Sequence, residues 1–342
     1  MPAHSLLMLS FGMVDGEQGF DPLILLIVAL FLDAYLGDTR MIFRVIKHPV
    51  EAIGAMVGFL DRKLNRERRG EMDRAVRGAL AVVVVVTVAL LAGVAVAWLS
   101  LNHEWGWIIE LFLVTTLLAG RSLFDHVKAV ARGLGESLEE GREAVSHIVG
   151  RDPAQLDEHG VARAAIESAA ENLCDGVVAP VFWYVLFGFP GLIIYKAVNT
   201  MDSMIGHRNA KYRAFGMTAA RLDDVLNLIP ARLTGLFFVM GALFVPNARP
   251  LAALKVMLRD SGKHRSMNAG WPEAAVAGAL DIALAGPRRY SGRVVDDAWI
   301  GDGTAQVTIK HINLTLYLYT ITALINVMWV GAIAVIRFSL PV

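Results

Sequence analysis

The sequence predicts an all-α, polytopic integral membrane protein, and three observations predict it. Hydrophobic residues fill 55% of the 342 positions, against roughly 45–50% in ordinary soluble chains. Mean hydropathy is +0.51. Residues 79–100 (ALAVVVVVTVALLAGVAVAWLS) run without a charge, and about 20 apolar residues are what a helix needs to cross a bilayer. The 32 basic and 32 acidic residues cancel, so the chain as a whole has no attraction to nucleic acid. Its one cysteine, Cys174, excludes an internal disulfide and is read as a small packed residue. No Cys/His spacing resembles a zinc site; an oxygen-ligated Mg²⁺ stays open.

In chain order, residues 1–20 read as an N-terminal extension with neither a basic leader region nor a cleavage signal. Residues 20–36 form a first span, although Asp33 and Asp38 at its inner end require partners. Arg40, Arg44, Lys47, Arg62, Lys63, Arg66, Arg68, Arg69, Arg74 and Arg77 follow, and so basic a loop belongs on the cytoplasmic side. Residues 79–100 are the second span. Residues 107–119 return as a third, with Trp105 and Trp107 marking an interface and Glu110 inside. Residues 121–176 then read as cytoplasmic helix, with Asp152-Pro153 and Gln155 resembling a capped helix start and an Ala-rich helix at 161–173. Residues 177–201 are long enough to cross, but Gly188-Phe189-Pro190-Gly191 splits them into halves that are too short, which predicts a re-entrant hairpin. Residues 225–245 contain Pro230 and Arg232 and are expected to be unwound or tilted. Residues 314–336 make the last span, with Tyr317, Tyr319 and Trp329 toward its ends. A tail occupies 337–342, leaving 21–336 as one membrane-embedded domain with about four clear spans plus broken helices. Broken helices at membrane depth survive only where protein or a water-filled cavity covers the backbone, which points to a site.

The polar residues cluster around these breaks. Glu167, Glu171 and Asp175 fall at i, i+4, i+8, one helix face whose like charges a cation would reconcile; a solvated face is the plain alternative. Asn172 and Asp175-Gly176 close that run. Asn199, Asp202, Ser203, Gly206 and Asn209 make a polar stripe with a glycine gap where a ligand could approach, and His207, Arg208, Lys211 and Arg213 follow as a basic cluster suited to phosphate. Asp223 and Asp224 could hold a divalent cation through water, or pair with Arg221 and Arg232 as structure. Residues 261–273 (SGKHRSMNAGWPE) bring Lys263, His264, Arg265 and Asn268 to a helix start, with Pro272 and Glu273 suited to its first turn. Gly262-Lys263 lacks the earlier glycine of a P-loop, because Met257 stands there. His48 reads as structural, or as facing the same pocket.

Taken in order, the strings HPVEAIG, ESAAENLCDGVVAPVFWY, AVNTMDSMIGHRNAKYRAFG, AARLDDVLNLIPARL, SMNAGWPEAAVAGAL and GPRRYSG resemble the CobD/CbiB family of cobalamin biosynthesis proteins. Family members commonly carry proline at Met267 and a small hydroxyl residue at Cys174. The resemblance implies an inner-membrane adenosylcobinamide-phosphate synthase with its site on the cytoplasmic side. Such an enzyme uses ATP and Mg²⁺ to join a corrinoid, adenosylcobyric acid, to aminopropanol or its phosphate, with the lipid bilayer and other membrane enzymes of the pathway as partners. It implies Glu167, Glu171, Asp175 and Asp202 for metal, and Arg208, Lys211, Arg232 and Lys263 for phosphate. Asn172, Asn199, Ser203, Asn209 and Asn268 would add nucleotide contacts, and Asp223, Asp224 and Glu171 the acid–base work. Trp183, Tyr184, Phe215 and Trp271 are expected to line a cleft for the corrinoid faces. The competing functions are a corrinoid transporter, whose sites also use discontinuous helices, and a non-catalytic sensor or scaffold.

Overall fold

The computed structural model describes residues 20–36, 48–66, 68–150, 153–290, 293–295 and 297–339. Asp38, Arg40, Arg44, Lys47, Asp152, most of the N-terminal extension and the last three residues lie outside them. The fold is helical, as the composition requires. In order come α1 (Pro22–Leu36), α2 (Pro49–Leu64), α3 (Glu71–Asn102), α4 (Gly106–Leu117), α5 (Gly120–Glu136), α6 (Leu138–Ser146) and α7 (Glu158–Leu173), then a π-helical turn (Cys174–Val178). There follow α8 (Ala179–Ile205), α9 (Met217–Leu226), α10 (Leu228–Gly241), α11 (Pro250–Asp260), α12 (Gly270–Leu280) and, after four short strands, α13 (Ile309–Ser339). Four helical stretches, Glu71–Asn102, Gly106–Glu136, Glu158–Ile205 and Ile309–Ser339, are long and apolar enough to cross a membrane. The expected first span, α1, is apolar but only 15 residues long.

Two compact units arise, each from non-contiguous segments: residues 1–119, 179–227 and 330–342 in one, residues 120–178 and 228–329 in the other. In the first, α8 packs on α3, α2 and α9, and α1 lies on α4. In the second, α12 packs on α10, α11 and α7, and α5 on α6 and α7.

The break in α8 is physical. Gly188 has φ 62° and ψ −155°, a region that glycine tolerates and side chains avoid. A Cβ on Gly191 would sit 2.4 Å from the Trp183 carbonyl oxygen. Eight residues along a straight helix are about 12 Å apart, so the chain bends sharply at Gly188, where the sequence places its break. The helical stretch Glu158–Ile205 runs through this bend as 48 residues, so the segment before the bend is not the short piece expected from residues 177–201.

Two boundaries differ from expectation. The interruption within 225–245 falls at Asn227, while Pro230 sits in the first turn of α10, where its missing N–H costs nothing. The cap of α7 is Asp157, whose carboxylate accepts the Gly160 N–H at 2.7 Å. Short antiparallel pairs, Leu284–Ala285 with Trp299–Ile300 and Arg288–Tyr290 with Arg293–Val295, were not foreseen.

Glu110, a buried acid inside a span, is paired, as hydrocarbon demands. Glu110, 5% exposed, accepts the Tyr184 hydroxyl proton at 2.6 Å. Tyr184→Phe removes that donor and leaves a buried carboxyl short of a partner, a loss of about 1–3 kcal/mol. Thermal unfolding in detergent is expected to shift down accordingly, and an unchanged midpoint would show that the bond carries no stability.

Candidate functional site

In the first unit, the second half of α8 sets Tyr195, Asn199, Asp202 and Ser203 at i, i+4, i+7 and i+8, one face of a helix. The neighbouring α9 presents Asp223 and Asp224, with Asn227 at its C-terminal cap. Asn199 Nδ2 donates to Asp223 Oδ1 at 3.3 Å, and Asn227 Nδ2 donates to Asp223 Oδ2 at 3.0 Å. The Tyr195 hydroxyl donates to Asn227 Oδ1 at 3.0 Å. Asp223 is thus a buried carboxylate held by two amides, one of which, Asn227, is steadied by a tyrosine, and Asp202 stands on the same face of α8 as Asn199. Asp224 lies 3.5 Å from Arg221.

The predicted stripe ends where α8 ends, at Ile205. Gly206 is no ligand gap, because a Cβ there would lie 1.9 Å from Asp202 Oδ1: the aspartate's own carboxylate occupies the space. Asn209 caps the following turn, its Oδ1 accepting the Tyr212 N–H at 3.0 Å, and Ser203 bonds back to the Asn199 carbonyl at 2.9 Å. Arg208 is exposed. Lys211, expected at phosphate, lies 3.3 Å from Asp61 and donates to the Tyr212 hydroxyl at 2.7 Å, which holds its ammonium above the usual lysine range. Arg74 donates to the Lys211 carbonyl and Arg213 pairs with Glu71. Much of the basic cluster therefore fastens the turn 206–216 to α2 and α3. His48 caps α2, its Nδ1 accepting the Val50 N–H at 3.2 Å.

In the second unit, Glu167 is buried and accepts the Ala285 N–H at 2.8 Å, while Glu171 is exposed and Asp175 half-buried. The π turn at Cys174–Val178 shifts the register just where the third carboxylate was expected to stack. Asn172 gives its amide protons to the Ser168 carbonyl and hydroxyl, both at 2.9 Å. Arg232 donates to the Leu228 carbonyl at 2.6 Å and lies over the Trp271 ring, 4.5 Å from its centroid. Asn268 is buried, and Glu273 takes the expected first turn of α12 with His264 Nε2 at 3.6 Å. Among the described residues, no three His, Cys, Asp or Glu side chains form a group able to hold a metal ion.

Lys263, also expected at phosphate, is 2.7 Å from Asp260, a residue the sequence reading passed over. Asp260 also takes Arg259 at 2.7 Å and the Gly301 N–H at 2.9 Å. Burial alone would raise its pKa, but hydrogen bonds from Arg259, Lys263 and Gly301 outweigh it and hold the carboxyl well below the usual range. A depressed folded value means the stabilisation is complete above the unfolded pKa of about 3.9 and disappears as pH falls through the folded one. Wild type is therefore expected to lose stability below about pH 4, and Asp260→Asn to flatten that acid limb. Identical acid limbs would count against the cluster. Tyr184 and Phe215 are 0% and 1% exposed, so they belong to the core and line no open cleft; the aromatic corrinoid wall loses those two members.

Fold and site together define a multi-pass helical membrane protein whose amides and carboxylates are organised at a broken helix. The chain belongs to the CobD/Cbib family: the family model for CobD/Cbib protein matches residues 26–319. A Sinorhizobium sp protein named cobalamin biosynthesis protein CobD is 47% identical over 324 residues, covering 92% of this chain and 98% of the relative. Proteins of the same name from Brucella suis (46%; 87% and 92% covered) and Rhodobacter capsulatus (49%; 82% and 87%) are similarly close. No solved structure matches.

Proposed function

We propose that the chain acts in cobalamin biosynthesis as an ATP-dependent acid–amine ligase. It would join adenosylcobyric acid to (R)-1-amino-2-propanol or its O-phosphate, giving adenosylcobinamide or its phosphate. The observation that carries the reading is the Tyr195–Asn227–Asp223–Asn199 network, with Asp202 on the helix face of Asn199 and Asp224 next to Asp223 on α9. A carboxylate resists attack by an amine, so the propionate must first be activated. Transfer of the γ-phosphoryl group of ATP to a propionate oxygen gives an acyl phosphate and ADP. The amine then displaces phosphate, forming the amide and losing a proton. No enzyme nucleophile is needed. The protein supplies positioning, charge stabilisation and a proton acceptor.

Mg²⁺ binds through one or two carboxylates, several waters and substrate phosphates, so Asp202 and Asp224, on two helices that pack together, are the proposed ligands without a three-acid cage. When bound, it would neutralise charge developing on the phosphates. Asp223, fixed by two amides, is the proposed base. In the second unit Glu171 is exposed, Asp175 is half-buried and the Arg232 guanidinium lies on Trp271. Lys211 and Lys263 are proposed to hold their segments in place rather than to bind phosphate. The site is assigned to the cytoplasmic face of the inner membrane, where ATP is found and where the basic run Arg62, Lys63, Arg66, Arg68 and Arg69 belongs.

The test is purified protein with adenosylcobyric acid, either amine, ATP and Mg²⁺, read by ADP release and product mass. Product that forms only with ATP supports the ligase. The break at Gly188 also suits a corrinoid transporter; corrinoid uptake into vesicles without amide formation would favour that reading.

A further inference from the structure

A cavity of about 310 Å³ lies in the first unit, between α3 and the bend of α8. Leu90 and Val94 of α3, Trp183, Phe187 and Tyr195 of α8, and Leu226 of α9 line it. Gly93 lets the two helices meet here, because a Cβ on it would fall 2.7 Å from Pro190 Cα. The polar atoms of the wall are already engaged: Trp183 Nε1 donates to the Leu226 carbonyl at 3.2 Å, and the Tyr195 hydroxyl to Asn227 at 3.0 Å.

We propose that this cavity binds one acyl chain of a membrane lipid. Leu90, Val94 and Phe187 are 42%, 44% and 45% exposed and stand on helical stretches of membrane-spanning length and hydropathy, so the rim meets hydrocarbon. A wall offering no polar partner admits a methylene chain and penalises a headgroup or an amide-bearing corrinoid, whose polar groups would be buried unsatisfied. Its volume is at the lower end of ordinary ligand pockets. Tyr195, whose hydroxyl holds Asn227 and through it Asp223, belongs to the wall, so the cavity and the acid network share one residue. The proposal stands apart from the ligase reading: a lipid can bind here whatever reaction the chain performs.

The test uses full-length protein in nanodiscs containing a phospholipid with a photoreactive diazirine midway along one acyl chain, and maps the adducts by peptide mass spectrometry. Adducts at Leu90, Val94, Trp183 and Phe187 are expected to exceed those at Leu324 and Met328, exposed apolar residues of α13 that report general lipid contact. Val94→Trp, which fills the mouth, is expected to lower cavity adducts at least about tenfold, equivalent to about 1.4 kcal/mol, and to leave Leu324 labelling unchanged. Leu90→Phe is the second variant, should Val94→Trp fail to fold, with the same expectation. Cavity labelling no higher than at Leu324, or unchanged in both variants, overturns the proposal. So does displacement of the label by adenosylcobyric acid, which would assign the cavity to the corrinoid.

Discussion

Asp202→Asn and Asp223→Asn are each expected to lower kcat by about 10²–10³-fold, the scale on which removing a group that stabilises transition-state charge or accepts a proton is felt. The two should differ in how they fail. Asp202 is half-buried on α8, which packs on the helix carrying Asp224, and its loss should weaken Mg²⁺ binding, so that added metal restores part of the rate. Asp223 is gripped by Asn199 and Asn227, and asparagine there keeps the shape but cannot take a proton, so added metal should restore nothing. Glu171→Gln, on the second unit, is expected to abolish turnover without lowering expression. Steady-state kinetics on protein of normal expression and unchanged melting temperature decides. Full activity in all three would place the chemistry elsewhere.

Gly191→Leu is expected to cost about 3 kcal/mol or more, at the upper end for overpacked sites. The obstacle is backbone: the new Cβ would sit 2.4 Å from the Trp183 carbonyl oxygen, which cannot swing aside as a side chain can. Opening the bend would also pull Trp183 from Leu226 and Tyr195 from Asn227, so activity should fall with stability. Gly331→Leu on α13 is the control, since a Cβ there meets nothing within 4 Å. Melting temperature in detergent and the monodisperse fraction by size exclusion would read both. Equal behaviour of the two variants would mean that the bend at Gly188 does not constrain the fold.

The spans were legible because hydrocarbon leaves helices little choice of composition: residues 79–100 and 314–336 fall inside α3 and α13. The bend was legible because Gly188-Phe189-Pro190-Gly191 combines a residue that tolerates positive φ with one that cannot donate a helical hydrogen bond. Helical spacing put Asn199, Asp202 and Ser203 on one face, as α8 does, but the stripe was carried too far, since spacing alone does not say that α8 stops at Ile205. Tyr195 was missed although it stands four residues before Asn199, because an aromatic in an apolar run reads as packing. The partners of Lys211 and Lys263 show another limit. A cation is visible in sequence, but a counter-charge such as Asp61, 150 positions before Lys211, becomes visible only on folding. Likewise the face Glu167, Glu171 and Asp175 assumed an unbroken α-helix, and the π turn begins at Cys174.

The central claim, activation of the corrinoid propionate by phosphoryl transfer, is tested most directly by isotope transfer. Adenosylcobyric acid labelled with ¹⁸O in its free carboxylate is turned over with ATP, Mg²⁺ and aminopropanol, and the released inorganic phosphate is analysed by mass. One ¹⁸O per amide formed, carried into phosphate when the acyl phosphate C–O bond breaks, is the predicted result. Label appearing in AMP, or amide formation that leaves phosphate unlabelled, would contradict it.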